Sequence, residues 1–446
     1  MRSITSNGMK KFGLLVLDVA GLFSALGLTL FIRYGDNFSG QYGIHFRPFL
    51  FIFFLWILIF FISNLYDFGF LRNNLSFYSS LFQAIITASA VSIVFFYLIP
   101  IFKITPRMNL AIFIAVFTGI VMASRTLFNK ANAEASKKPL LIVGVNNQSL
   151  ELAKFIENNP QLGYELKYIL DLAKEGVKNV DQIIKQENIN TVIISPETYQ
   201  SPQIIDTFYR SIENRVTFRN LSSFYEQMTN RVPLGAINQV WFLENLSEGS
   251  KKTYEEVKRF VDIIFSITLG IIVLPFFPLI ALAVKITSPG PVFYHQKRVG
   301  KNGKIFEMTK LRTMRADAEK KTGAVWAQVN DPRITWLGKL LRKTRADELP
   351  QLWNILKGDM SFVGPRAERP EFHDQLKQGI PFYEERYIIK PGLSGWAQIY
   401  YRYGSSVADA AEKLQYDLYY IKNRSLILDL GIILKTINIA MRQAGR

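Results

Sequence analysis

The first 130 residues carry four long apolar stretches, at about 12–32, 48–65, 75–100 and 110–127, separated by short polar or charged breaks. Each is close to the ~20 residues that an α-helix needs to cross about 30 Å of hydrocarbon. The pattern therefore predicts four transmembrane helices within residues 1–130. A cleaved signal peptide does not fit, because no small-residue cleavage site follows the first stretch and three more spans come behind it. From Pro139 to about Leu246 the period changes. Short apolar runs at Leu140–Val143, Tyr164–Leu170, Thr191–Ile194 and Val216–Phe218 alternate with helix-like stretches at Leu150–Asn158 and Pro202–Asn214. That alternation predicts a small parallel α/β domain over 139–246. Its first turn, Gly144-Val145-Asn146-Asn147-Gln148-Ser149, has one of the three glycines of a dinucleotide fingerprint. A Rossmann-like domain without a nucleotide is expected, a degenerate nucleotide or CoA-type ligand being the alternative.

A further apolar run, Ile263–Val284, is just long enough to span, but Pro275 and Pro278 sit in its middle. An interior proline removes a backbone hydrogen bond and clashes with the preceding turn, so a break is expected near Leu274. Basic residues flank the run on both sides: Lys251, Lys252, Lys258 and Arg259 before it, and Lys285, Lys297, Arg298, Lys301 and Lys304 after it. Loops rich in Lys and Arg stay on the cytoplasmic side. The segment 261–286 is thus expected to be re-entrant, broken at Pro275 and leaving by the face it entered, with a kinked span as the alternative. Ser266 and Thr268 are the nearest hydroxyls for carbonyls freed at the bend. The same charge rule, applied to residues 1–138, puts both ends of the first block in the cytoplasm.

Composition narrows the chemistry. The 446 residues include no Cys and only three His (His45, His295, His373), which removes thiolate catalysis and leaves little for a His-rich metal site. Carboxylates, hydroxyls and cations must carry any reaction. The 53 Lys and Arg against 36 Asp and Glu give a net charge of +17, and the excess is local. Between Lys297 and Arg345 stand 14 Lys and Arg against Glu307, Asp317, Glu319 and Asp331. Anionic lipid headgroups explain part of that field. Nucleic acid is not expected as a partner, because no helix-turn-helix, RRM or OB pattern accompanies the charge. Arginines set in apolar-flanked runs such as Lys310-Leu311-Arg312-Thr313-Met314 suit bidentate phosphate contacts. Next comes Asp347-Glu348-Leu349-Pro350, where the apolar spacing of Leu349, Leu352, Ile355 and Leu356 predicts a helix. Asp347 is expected at its N-cap, ionised by the helix dipole and Arg345. Plain capping is the ordinary reading of such a pair; the surrounding cations make attack on phosphorus or retention of a divalent metal the sharper one.

The runs KLRTM (310–314), DPRIT (331–335), Leu341-Arg342-Lys343, DELPQLWN (347–354), KGDMSFVGPR (357–366), KPGLSGWAQ (390–398) and YDLYYIKNRSLILD (416–429) together resemble the bacterial sugar transferase family, the monotopic phosphoglycosyl transferases. With four membrane helices and a Rossmann-like domain ahead, the chain resembles the family's large form. The resemblance covers 251–446 in its catalytic part. It departs at Ala367, where a proline is usual after Gly-Pro-Arg, and at Leu274 before Pro275. It implies a mainly helical monotopic catalytic domain and an enzyme that moves a hexose-1-phosphate from a UDP-sugar, glucose or galactose before N-acetylated hexoses, to polyprenyl (undecaprenyl) phosphate with release of UMP. This would be the first membrane step of exopolysaccharide, capsule or O-antigen synthesis. In that family an Asp-Glu dyad reacts, matching Asp347 and Glu348, by ping-pong through a phosphosugar on Asp347. Lys310, Arg312, Arg333 and Arg366 are the expected phosphate contacts. Mg²⁺ is the expected cofactor, held by Asp347, with Asp359 a weaker choice. Tyr400, Tyr401 and Tyr403 are candidates to stack on uracil or sugar, the alternative being aromatic rings at the membrane interface that need no ligand. The resemblance also implies a homodimer through the middle domain and a multi-pass protein of the bacterial inner membrane with its catalytic domain in the cytosol. The competing readings are a non-catalytic membrane scaffold or nucleotide sensor, and a one-step glycosyltransferase that would release UDP.

Overall fold

The computed structural model describes residues 2–67, 71, 73–98, 107–134, 137–172, 180–200, 202–210, 216–246, 248–315, 318, 331–401, 404 and 406–441. The chain divides into two units, Met1–Arg219 and Asn220–Arg446.

The first unit opens with α1 (Arg2–Tyr34), α2 (Phe38–Ile62), α3 (Leu75–Leu98) and α4 (Arg107–Glu134). A 3₁₀ turn at Gly35–Asn37 joins α1 to α2, and the left-handed φ of +49° at Gly35 suits a residue without Cβ. The stretches Gly8–Ile62 (α1 with α2), Phe77–Tyr97 and Met108–Ala131 are long and apolar enough to cross a membrane, as is Lys252–Thr287 in the second unit. Inside the bundle Trp56 packs edge-on against Phe117 at 5.1 Å, and Phe113 stacks on Phe117 at 6.0 Å. Large apolar side chains such as Phe31, Phe54 and Leu127 point outward, as lipid-facing positions do. Charge inside such a bundle must be paired. Arg125 on α4 meets Asp18 on α1 at 2.5 Å with both side chains buried, and Tyr66 donates to the same carboxylate at 2.7 Å.

There follow β1 (Lys138–Val143), α5 (Asn147–Glu157), β2 (Tyr164–Leu170), α6 (Val180–Gln186), β3 (Thr191–Ile194), α7 (Pro202–Arg210) and β4 (Thr217–Asn220). The sheet order is β2-β1-β3-β4, with β1 parallel to both β2 and β3. Leu141, Val143, Val192 and Ile194 are buried with Ile184 and Phe208, as expected for central parallel strands written as continuous apolar runs. In the turn after β1, Asn146 caps α5 by accepting the Ser149 N–H at 2.8 Å, and its amide donates to Ser195 Oγ at 3.1 Å.

The second unit contains α8 (Leu221–Thr229), α9 (Gln239–Asn245), α10 (Lys252–Val273), α11 (Phe277–Thr287), a hairpin of β5 (Phe293–Val299) and β6 (Ile305–Leu311), α12 (Trp336–Thr344) and α13 (Gln351–Lys357). It continues with β7 (Ser361–Val363), α14 (Pro370–Gly379), β8 (Gly392–Ser394), α15 (Trp396–Tyr400), α16 (Val407–Asn423) and α17 (Leu426–Met441). Here the boundary at 246 is corrected. Val232 and Trp241, from the segment expected in the α/β domain, share a core with Trp396, Leu414 and Leu418. Asn230 accepts from the Trp396 indole at 3.0 Å, and Glu226 pairs with Lys422 at 2.7 Å. These partners lie more than 160 residues away, beyond any local pattern.

Between α10 and α11 the backbone breaks at Leu274–Phe276, a 3₁₀ turn containing Pro275, and Pro278 falls in the first turn of α11. The α-helical bonding is thus interrupted by one turn of the tighter i→i+3 pattern. Ser266 does not take the partner role expected of it: its buried hydroxyl has no hydrogen-bond partner among the described residues, and Thr268 is exposed.

Removing one member of the α1–α4 ion pair leaves an uncompensated buried charge, a cost of about 3 kcal/mol or more. Asp18→Leu should lower the thermal midpoint of the detergent-solubilised protein, and Asp18→Leu with Arg125→Leu should recover much of the loss. Equal melting of the single variant and the unaltered protein would show that the pair does not hold the bundle.

Candidate active site

The site is built around a sharp turn between two short helices. Thr335 caps α12 by accepting the Gly338 N–H at 2.9 Å. Gly338 is required there, because a Cβ at this position would lie 2.0 Å from the Thr313 carbonyl oxygen. α12 ends at Arg345 in the left-handed region (φ +61°), a conformation that bulky residues rarely adopt. The chain then enters a 3₁₀ turn, Ala346–Glu348, and starts α13 with Pro350 at its N-cap. Asp347 is therefore not the helix N-cap that the sequence pattern suggested. It lies inside the preceding turn, with Glu348, Leu349 and Pro350 between it and the helix.

Both carboxylates are buried, with 7% of each residue exposed, yet their surroundings differ. Glu348 Oε1 accepts from Lys310 Nζ at 3.2 Å and from Arg366 at 3.1 Å, and its Oε2 accepts from Arg345 at 3.4 Å. Burial alone would raise its pKa, but the charges of Lys310, Arg366 and Arg345 outweigh burial and hold it well below the usual carboxylate range. Asp347 takes no hydrogen bond or ion pair from any described residue. Burial and then the neighbouring Glu348 charge push its pKa up, against the weaker pull of Lys310, Arg342 and Arg366. The direction is opposite to the one the helix-dipole argument gave. One carboxylate has absorbed the cations and the other is left unpaired.

The flanking cations form a second layer. Lys310 is pushed down by burial despite Glu348. Arg298 donates to the Ala367 carbonyl at 2.9 Å and is lowered to about 10 by burial and by the charge of Arg366. Of the expected phosphate contacts, Lys310 and Arg366 converge on the dyad, and Arg366 is the more open, with 39% of its side chain exposed. Arg312 is committed elsewhere, its guanidinium buried on the Ser288 and Pro289 carbonyls at the end of α11. Arg333 forks onto Asp331 at 2.8 and 2.6 Å, so its charge is locally neutralised. Tyr400 stacks on Tyr416 and Tyr401 donates to Asp409 at 2.6 Å, while Tyr403 lies outside the described residues. Asp359 accepts from Asn354 at 3.3 Å.

Asn354 itself was not anticipated. Its amide donates to the Glu307 carbonyl at 2.7 Å and its oxygen accepts the Thr309 N–H at 3.1 Å, which fastens α13 to β6 and so brings Lys310 to Glu348. Arg259 of α10 donates to the Ile355 carbonyl at 2.5 Å and to the Leu356 carbonyl at 2.6 Å, capping the other end of α13. Among the described residues no three His, Cys, Asp or Glu side chains come together as a metal cage. Mg²⁺ is commonly held by one or two carboxylates plus substrate phosphates. The unspent Asp347 carboxylate fits that pattern; Glu348, saturated by cations, does not.

Comparison with known proteins places this geometry. The bacterial sugar transferase family matches residues 253–443, the segment that holds the dyad, its cations and the broken helix. A CoA-binding domain family matches residues 62–204. The chain is 32% identical over 322 residues to a UDP-glucose:undecaprenyl-phosphate glucose-1-phosphate transferase of Escherichia coli, covering 68% of this chain and 67% of that protein. The chain belongs to the bacterial sugar transferase family. Within it, a UDP-N-acetylgalactosamine-undecaprenyl-phosphate N-acetylgalactosaminephosphotransferase of Aeromonas hydrophila is 44% identical over 192 residues, 43% of this transferase but only 45% of that protein's length. An exopolysaccharide production protein of Rhizobium leguminosarum is 39% identical over 189 residues, 41% of this chain and 93% of that protein.

The asymmetry of the dyad gives this transferase a pH signature. Burial and the Glu348 charge raise the Asp347 pKa, so any reaction that needs this carboxylate ionised is expected to lose rate, as pH falls, already above the ordinary aspartate range. Glu348→Gln removes the negative neighbour and leaves Lys310, Arg345 and Arg366 uncompensated, both of which lower the Asp347 pKa. The acid limb of transferase activity is expected to move to lower pH in that variant; a shift upward, or none, would show that the Asp347 carboxylate does not set it.

Proposed function

We propose that this transferase moves a hexose-1-phosphate from a UDP-sugar to undecaprenyl phosphate at the inner leaflet of the bacterial cytoplasmic membrane. The observation that carries the reading is the unpaired, buried Asp347 carboxylate beside a Glu348 that has gathered three cations. In the first half-reaction an Asp347 oxygen attacks the sugar-bearing phosphorus. The phosphorus–oxygen bond to UMP breaks, UMP leaves with the electron pair, and an acyl-phosphate to the hexose remains on Asp347. In the second, an oxygen of the lipid phosphate attacks the same phosphorus and the Asp347 carboxylate is released. Two substrates of unlike solubility thereby use one site in turn. Glu348 fixes Lys310, Arg345 and Arg366 around the reacting phosphoryl group, where fixed charge stabilises developing negative charge at no reorganisation cost. Arg366, the most exposed of the three, is the natural contact for the diphosphate. Bound through Asp347 and the diphosphate, Mg²⁺ would offset the charge of the nucleotide.

Re-entry of the 252–287 segment is supported by where its two arms rest. A straight helix of those 36 residues would be about 54 Å long. Instead Arg259 on α10 caps the C-terminus of α13, while Phe277 on α11 shares a cleft with Pro350 and Trp353 of the same α13 region. Both arms return to one short helix, and basic residues flank both ends. The catalytic unit then lies on the cytosolic face, where UDP-sugars are available.

Replacing the nucleophile should abolish the first half-reaction. Asp347→Asn is expected to reduce UMP release by about a thousandfold or more, and peptide mapping of the trapped unaltered enzyme should find the hexosyl phosphate on Asp347. Release of UDP rather than UMP would instead favour direct glycosyl transfer, and turnover that persists in Asp347→Asn would defeat the assignment. A panel of UDP-glucose, UDP-galactose and UDP-N-acetylgalactosamine identifies the hexose.

A further inference from the structure

A lipid-phosphate acceptor needs a place for its isoprenoid chain, and a cleft of about 420 Å³ beside the carboxylate turn has the lining for one. The inference rests on the transferase reading above. One wall is the outer face of the hairpin: Phe293 and His295 on β5, with His295 opposite Thr309 on β6. The other wall is one face of the α13 region, where Pro350, Trp353 and Lys357 recur at helical spacing. At one end lies Phe277, the first residue of α11 beyond the break, its ring stacked on Phe293 at 5.7 Å. Trp353 is 59% exposed, so its indole face is open to an apolar occupant of the cleft. The charges in the cleft are largely occupied: His295 lies 3.3 Å from Glu307, and Lys357 Nζ sits over the Trp353 ring at 5.5 Å.

Strand alternation separates this cleft from the phosphate chemistry. Side chains at successive positions of β6 point to opposite faces. Lys310 reaches Glu348 and Met308 packs with Leu352 and Ile355 on one face, while Thr309 and Glu307 line the cleft on the other. The cations suited to a nucleotide diphosphate thus lie across the strand from the aromatic cleft. The two sides meet at the turn, where Pro350 stands three residues beyond Asp347. We propose that the cleft holds the proximal isoprene units of the polyprenyl acceptor, which enter from the bilayer past Phe277 and Phe293, lie along Trp353, and bring the phosphate end to Asp347 beside Pro350.

The test uses the full-length protein in nanodiscs of phosphatidylethanolamine and phosphatidylglycerol, with a diazirine-bearing polyprenyl phosphate as photo-probe. Labelling is expected on the peptides that contain Trp353 or Phe277–Phe293, competed by unlabelled undecaprenyl phosphate and not by UDP. Trp353→Ala should raise the KM for undecaprenyl phosphate about tenfold with less than a twofold change in the KM for UDP-sugar, and Trp353→Phe should stay close to the unaltered protein. Labelling confined to other segments, competition by UDP, or a Trp353→Ala effect that falls on the UDP-sugar KM would overturn the assignment, the last two making the cleft a nucleotide pocket. Photolabelling needs no turnover, so cleft labelling without UMP release counts against the transferase reading alone, whereas UMP release without cleft labelling sinks the cleft.

Discussion

Two adjacent carboxylates buried in one turn cannot both be left to solvate themselves, and the way this chain resolves that constraint organises its second unit. Glu348 is neutralised by Lys310 from β6, Arg345 from the end of α12 and Arg366 from the loop after β7. Three chain segments are therefore drawn to one buried side chain. Loss of one partner from such a cluster costs several kcal/mol, because the remaining charges stay buried without compensation. The strained left-handed Arg345 and the glycine-dependent approach of α12 to Thr313 are tolerated because they deliver a partner to that cluster.

The same arrangement divides labour between two chemically similar groups. With the cations spent on Glu348, Asp347 keeps an open coordination sphere and a raised proton affinity, which is why the proposed reading gives it, and not Glu348, the nucleophile's part. Environments that push neighbouring pKa values apart mark an acid-base or nucleophile assignment more securely than residue type does. An aspartate bound by all three cations would be a weak nucleophile, since its lone pairs would already be engaged.

The sequence was most readable where physics is local. Hydrocarbon thickness sets the length of the N-terminal apolar stretches, so all four helices were found, although α1 and α2 each begin ten residues before the apolar run that marked them, and Pro275 marked the break because a proline cannot bond in a helix interior. Strands β2 and β3 were found at Tyr164–Leu170 and Thr191–Ile194 from apolar runs alone. Long-range pairing was not readable. Nothing in the vicinity of Arg312 announces the Ser288 and Pro289 carbonyls, and nothing near Glu226 announces Lys422. The Asp347 environment failed for a related reason: the dipole argument considered a helix end and Arg345, whereas burial and the charge of Glu348 are larger.

What ties the reaction to the membrane is the grip of the broken apolar segment on α13. Arg259 on α10 takes the free carbonyls at the C-terminal end of that helix, and Phe277 on α11 closes the cleft that reaches its N-terminal end at Pro350. A helix of seven residues cannot hold itself together in isolation, because nucleation is unfavourable and few bonds follow it. Its order must come from these contacts and from Asn354, so the position of Asp347 is inherited from the segment that meets lipid. A carboxylate carried on an independent loop would have to search for a membrane-bound acceptor; on the proposed reading, the acceptor's medium and the nucleophile are braced by the same two arms.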